Sequence, residues 1–116
     1  MDATKELMEE LALDMDYWVN KFSESLKEHS DLSWTDHPDA FIKIGEVIRA
    51  NNMSTDIESV VCEILRGYIH TVLTVFDGGS KLADKVLVTV VDEQGQPLGP
   101  GLHERFVDHL LETERL

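Results

Sequence analysis

Between Thr4 and Glu28 the apolar residues Leu7, Met8, Leu11, Met15, Trp18, Val19, Phe22 and Leu26 recur at intervals of three and four. That spacing keeps them on one helical stripe and predicts a long amphipathic helix. His29 to His37 then reads as a loop, with Pro38 suited to the first turn of a second, shorter helix whose inner face is Phe41, Ile44, Val47 and Ile48. Asn51 and Asn52 are its expected stop. Thr55 and Glu58 have the Thr-x-x-Glu spacing of a capping box and open a third helix to Phe76, closed by Asp77-Gly78-Gly79. Its apolar set (Ile57, Val60, Val61, Ile64, Leu65, Tyr68, Ile69, Val72, Leu73, Val75, Phe76) covers about 220° of the circumference at 100° per residue. A helix so broadly apolar is expected at the centre of the fold, covered on most sides, with Cys62 at the edge of the arc.

The period then changes. Lys85 to Val91 (KVLVTVV) is short and rich in β-branched residues, which predicts a strand. Asp92-Glu93-Gln94-Gly95 reads as a turn, Gln96 to Leu98 as a return strand, and Gly99-Pro100-Gly101 as the lead into a last helix with Leu102, Phe106, Val107, Leu110 and Leu111 inside. The expected fold is therefore α+β and predominantly helical, with about four helices and a small β-hairpin between the third and fourth, in a single acidic globular domain over residues 1–116.

Charge changes this picture most at the N-terminal end. Twenty-three acidic residues against ten basic ones give −13, and residues 1–39 alone hold eleven acids and three lysines. Such a field repels nucleic acid and anionic membrane surfaces and favours a basic protein partner. On the first helix Glu6, Glu9, Glu10 and Asp14 fall opposite the apolar stripe, where Leu13 and Tyr17, one turn apart, form an apolar island. Either they are singly exposed residues of no consequence, or they anchor a partner. Trp34 is read the same two ways, as a plug over the core or as a third anchor. One cysteine, Cys62, allows no internal disulfide and no multi-cysteine metal site. The acidic N-terminus is unlike a signal peptide, and no apolar run is read as approaching a membrane span, so a cytoplasmic location is the expectation.

Candidate chemistry is confined to two places. Glu63, Arg66, His70, Thr74 and Asp77 project within about 80° of one another on the third helix and form a polar ridge. His70 with Asp77 has the residue types of an acid–base pair, although a solvated line on a buried helix gives the same pattern. Gly67 beside the ridge would admit close backbone approach. His103 falls on the apolar side of the last helix, either as a hydrogen-bonded core residue or, if it meets His70 across a groove with Glu104 or Asp77 nearby, as part of an acid–base or metal site. His103-Glu104 does not continue into a His-Glu-x-x-His motif, because residue 107 is Val. Gly78-Gly79-Ser80-Lys81 follows a helix and lacks phosphate-loop spacing.

No catalytic motif and no cofactor motif is present, so the favoured expectation is a non-catalytic interaction module that sets its acidic face against a basic partner. Immunity and inhibitor proteins of toxin systems share small size and acidity, but these general traits identify no family. Two alternatives stand beside it. One is a small enzyme or ligand- or metal-binding protein with a cleft using His70 and His103, aided by Asp77 or Glu104. The other is a structural homodimer formed through the hairpin edge or the stripe of the first helix.

Overall fold

The computed structural model describes residues 1–116. It contains four α-helices, α1 (Ala3–Ser25), α2 (Pro38–Ala50), α3 (Ser54–Phe76) and α4 (Leu102–Glu112), with one 3-10 turn at Lys81–Asp84. Two compact units are formed, one from residues 1–13 and 66–116, the other from 14–65. Both α1 and α3 contribute to each.

The expected hairpin is absent, and the fold is helical without a strand or sheet. Residues 86–90 take no regular secondary structure, and the only bridge is antiparallel, Val91 to Pro97. The reversal is built by one side chain. Asp92 Oδ1 accepts the backbone N–H groups of Gln94 and Gln96, both at 2.9 Å, with Gly95 at φ 79°. β-branched residues favour a strand only where a neighbouring strand completes the ladder, and none is supplied here.

Local end signals account for the helix limits. Asp2 caps α1, its Oδ1 accepting Lys5 N–H at 3.1 Å. α2, α3 and α4 end alike. The residue two beyond the last helical one takes a positive φ (Asn52 53°, Gly78 76°, Glu114 57°), and the next N–H reaches back to Ile48, Thr74 and Leu110 respectively. This is the Schellman arrangement, which satisfies carbonyls that a helix end would leave unpaired. The predicted capping box does not form. α3 begins at Ser54, so Thr55 lies inside its first turn, and the Glu58 carboxylate accepts Ser23 Oγ–H at 3.0 Å.

In the first unit Met8, Ala12, Leu73, Leu102, Phe106 and Leu110 are buried. The four-residue spacing on α4 aims Leu102, Phe106 and Leu110 inward, while Leu111, expected inside, is exposed. Thr4 is buried with its hydroxyl donating to Leu98 O at 2.9 Å, which ties the start of α1 to the segment before α4.

In the second unit Met15, Val19, Leu26 and Ile48 form the core. The inner face of α2 is Phe41, Gly45 and Ile48, and Ile44 and Val47 face solvent, contrary to the sequence expectation. A glycine decides that rotation. α2 seats Gly45 on the backbone just past α1, where an added Cβ would stand 2.5 Å from Leu26 O, and Arg49 one turn on donates to the same carbonyl. Trp18, also expected inside, is half-exposed.

The largest departure is α3. Only Leu73 of this helix is buried, whereas Val60, Ile64 and Tyr68 are 52%, 63% and 69% exposed. It is not the covered central element its composition predicts. The segment Ser54–Asp84 is also long and apolar enough to cross a membrane by length and composition alone, with mean hydropathy 1.3 and 6% of the window buried. The expectation that no run approaches that length is corrected accordingly.

Two glycines in helices should respond oppositely to alanine. At Gly67 a Cβ meets nothing, so Gly67→Ala should gain about 1 kcal/mol from helix propensity. At Gly45 the same gain is outweighed by displacing a backbone carbonyl, and Gly45→Ala should lose about 1–3 kcal/mol. Urea denaturation of both variants checks the pair.

Candidate functional site

The polar ridge of α3 and the start of α4 meet in the first unit. Asp77 is the residue just past α3, at the start of its Schellman turn. The N-cap of α4 is Gly101, which has no side chain to serve the first N–H groups of that helix. Asp77 takes that role from 25 residues away. Its Oδ1 accepts Leu102 N–H and its Oδ2 accepts His103 N–H, each at 2.9 Å. Oδ2 also accepts the ring Nδ1–H of His103. The Asp77 side chain is 5% exposed, and these three donors offset the cost of burying its charge.

The electrostatics follow from those bonds. Burial, the largest influence on Asp77, raises its carboxyl pKa, but the His103 and Leu102 backbone N–H groups and the His103 ring together hold it below the ordinary 3.8. Asp77 is thus a carboxylate across the neutral range.

His70 and His103 do converge, with ring centroids 5.2 Å apart and the planes edge to face at 86°. With Nδ1 bonded to Asp77, the His103 ring sets Nε2 3.7 Å from Glu104 Oε1. This is the arrangement of an acid–base histidine oriented by a buried carboxylate. The neighbouring cleft is a different matter. About 250 Å³ is enclosed by Phe76, Asp77, Leu87, Thr89, Val90, Pro97, Gly99, Pro100 and Leu102, and neither imidazole lines it. No group of three or more His, Cys, Asp or Glu side chains is placed to hold a metal ion.

The rest of the ridge is inverted relative to expectation. Arg66, His70 and Thr74 are half-buried, Glu63 is exposed, and Thr74 Oγ1 donates to His70 O at 2.9 Å. A Cβ added at Gly67 would meet no atom within 4 Å beyond its own helix backbone, so no other part of the chain makes a close approach there. Cys62 is half-buried and not part of the core.

On α1, Glu6, Glu9, Glu10 and Asp14 are exposed, and so are Leu13 at 50% and Tyr17 at 56%. Trp34 is neither a full plug nor a free anchor. Its Nε1–H donates to Ser25 Oγ at 3.0 Å, and its ring lies edge-on to Trp18 and Phe41, with centroids at 5.8 and 5.3 Å. Tyr17 meets Trp18 at 5.4 Å, which extends this into an aromatic row, and Lys21 Nζ lies 5.6 Å from the Trp34 centroid. The sequence reading missed Trp18 as an exposed member of that row. The cue was available, because Trp18 follows Tyr17 directly and cannot share the core stripe with Met15 and Val19 without standing at its margin.

Because the Asp77 pKa is lowered on folding, its contribution is fully present above the unfolded value and is lost as pH falls through the folded one. Stability should therefore decline below about pH 4 through this group. Asp77→Asn should cost about 1–3 kcal/mol at neutral pH and flatten the acid limb, as measured by denaturation at a series of pH values. Compared with known proteins, this chain matches no protein family, no curated protein and no solved structure.

Proposed function

We propose that the chain is a non-catalytic interaction module that engages a basic protein surface through the outward stripe of α1. The observation that carries this reading is the exposure of Leu13 and Tyr17 among carboxylates. At 100° per residue, Glu6, Glu9, Glu10, Leu13, Tyr17 and Glu24 fall within about 100° of one another. Trp18 and Trp34 continue the apolar element from Tyr17. Carboxylates accelerate encounter with a basic partner and reject acidic ones, and aromatic side chains of low conformational entropy supply affinity once docked. An immunity protein or an inhibitor of a nucleic-acid-binding protein would use such a surface.

The test is capture from native lysate at low and high salt, beside a Leu13→Ala/Tyr17→Ala chain. A basic protein retained at low salt, released as salt rises and lost from the double variant is the expected result. Retention that ignores both salt and the substitutions would sink the reading.

A second reading, an acid–base or ligand site on His103, is favoured by the bond from its Nδ1 to buried Asp77. It requires a nucleophilic Nε2. Acylation by diethyl pyrocarbonate should then proceed faster at His103 than at the exposed loop residues His29 and His37. Equal or slower modification would remove this reading.

A further inference from the structure

From the exposed apolar face of α3 we infer that the protein forms a symmetric dimer in which α3 packs antiparallel against α3 of a second copy. The face has the spacing of a helix–helix seam. Ile57, Val61, Ile64, Tyr68, Thr71 and Val75 alternate steps of four and three, which is the period by which two helices interlock side chains. Val60 widens it at one edge. None of these residues is buried within the chain.

The area fits a second copy. Val60, Ile64 and Tyr68 present on the order of 300 Å² of apolar surface, which alone reaches the size of the largest such patch on an ordinary monomer. The seam from Ile57 to Val75 runs about 27 Å along α3, a length that a second α3 matches end to end.

Chemistry argues for self-association over a lipid surface or a charged partner. The seam carries no charge, while Glu58, Glu63, Arg66 and His70 occupy the remaining circumference, so a membrane span would strand them in hydrocarbon. Lying flat on a membrane needs flanking Lys or Arg, and α3 has one Arg. An uncharged seam also gives a basic partner nothing to recognise. The matching faces on α1 and α4 are filled within the chain by Met8, Met15 and Val19 and by Leu102, Phe106 and Leu110, and the bare Ile44 and Val47 lie on α2, a helix of 13 residues against the 23 of α3, so the α3 seam itself is the complement of equal length. A twofold axis at Ile64 sets Val60 of each copy against Tyr68 of the other. Antiparallel pairing about this axis also sets the two Glu58 carboxylates about 18 Å apart along the helices, whereas a parallel pair would bring them to the same level.

This dimer is independent of the acidic stripe on α1 and has the opposite salt dependence. Each copy carries −13, so screening should strengthen self-association while weakening attraction to a basic partner. Sedimentation equilibrium of the full chain at rising concentration should show the mass doubling, at lower concentration in high salt than in low. Val60→Glu/Ile64→Glu should sediment as a monomer throughout with wild-type circular dichroism. In a Cys62→Ser background, Ile64→Cys should oxidise to a covalent dimer across the axis. A monomer under every condition, or a dimer that survives the double substitution, overturns the inference. If the double variant fails to fold, the Ile64→Cys chain decides alone: a crosslinked dimer supports the interface, and its absence rejects it.

Discussion

The carboxylate of Asp77 sits where α3 ends and α4 begins, and the arrangement of the first unit depends on it. A helix that starts at a glycine has unserved N–H groups at a partly positive end. Asp77 serves two of those groups and the ring of His103 with one side chain. With the end of α3 fixed to the start of α4 in this way, Leu73 is buried together with Leu102, Phe106 and Leu110. His103 is fixed by the same bond, and its ring meets His70 edge to face. The imidazole pair thus has a structural cause before any chemical use.

That constraint also explains the orientation of α3. Once His70 and Asp77 are turned toward α4, the apolar residues at the opposite phase are left in solvent. The amphipathic pattern of α3 marks two faces correctly, but in this chain the polar one is partly covered and Val60, Ile64 and Tyr68 are bare. Hydrophobicity ranks which face gains most from burial; it does not supply a neighbour to bury it. A further copy of the same helix would supply one.

The second unit is governed by close approach. Gly45 lets α2 reach the carbonyl at the end of α1, and Arg49 satisfies that carbonyl from the same face. The aromatic row from Tyr17 to Phe41 then fills the space beside α1 only partly, so Tyr17 and Trp18 stay accessible among carboxylates. The salt dependence of any contact made here has the sign opposite to that expected of contact through α3. Two surfaces of one small chain can therefore be told apart in solution.

Information confined to a few neighbouring residues was legible in the sequence. The four helices follow from three-four periodicity, and their stops at Asn51-Asn52 and Asp77-Gly78-Gly79 follow from residues that tolerate a left-handed turn. The exposure of Leu13 and Tyr17 follows from helical phase. The sequence determined where helices begin and end, and which residues share a face. Tertiary structure decided which face turns inward, and whether an extended run finds a partner strand. Lys85–Val91 had strand composition without a ladder, and Ile44 and Val47 lost the inner position to Gly45 because a missing side chain allowed the closer approach. The meeting of His70, Asp77 and His103 likewise required two helix ends to be brought together. The physical reason is that capping and periodicity are satisfied within a turn or two of chain, whereas burial, strand pairing and side-chain convergence depend on atoms supplied from a distant part of it.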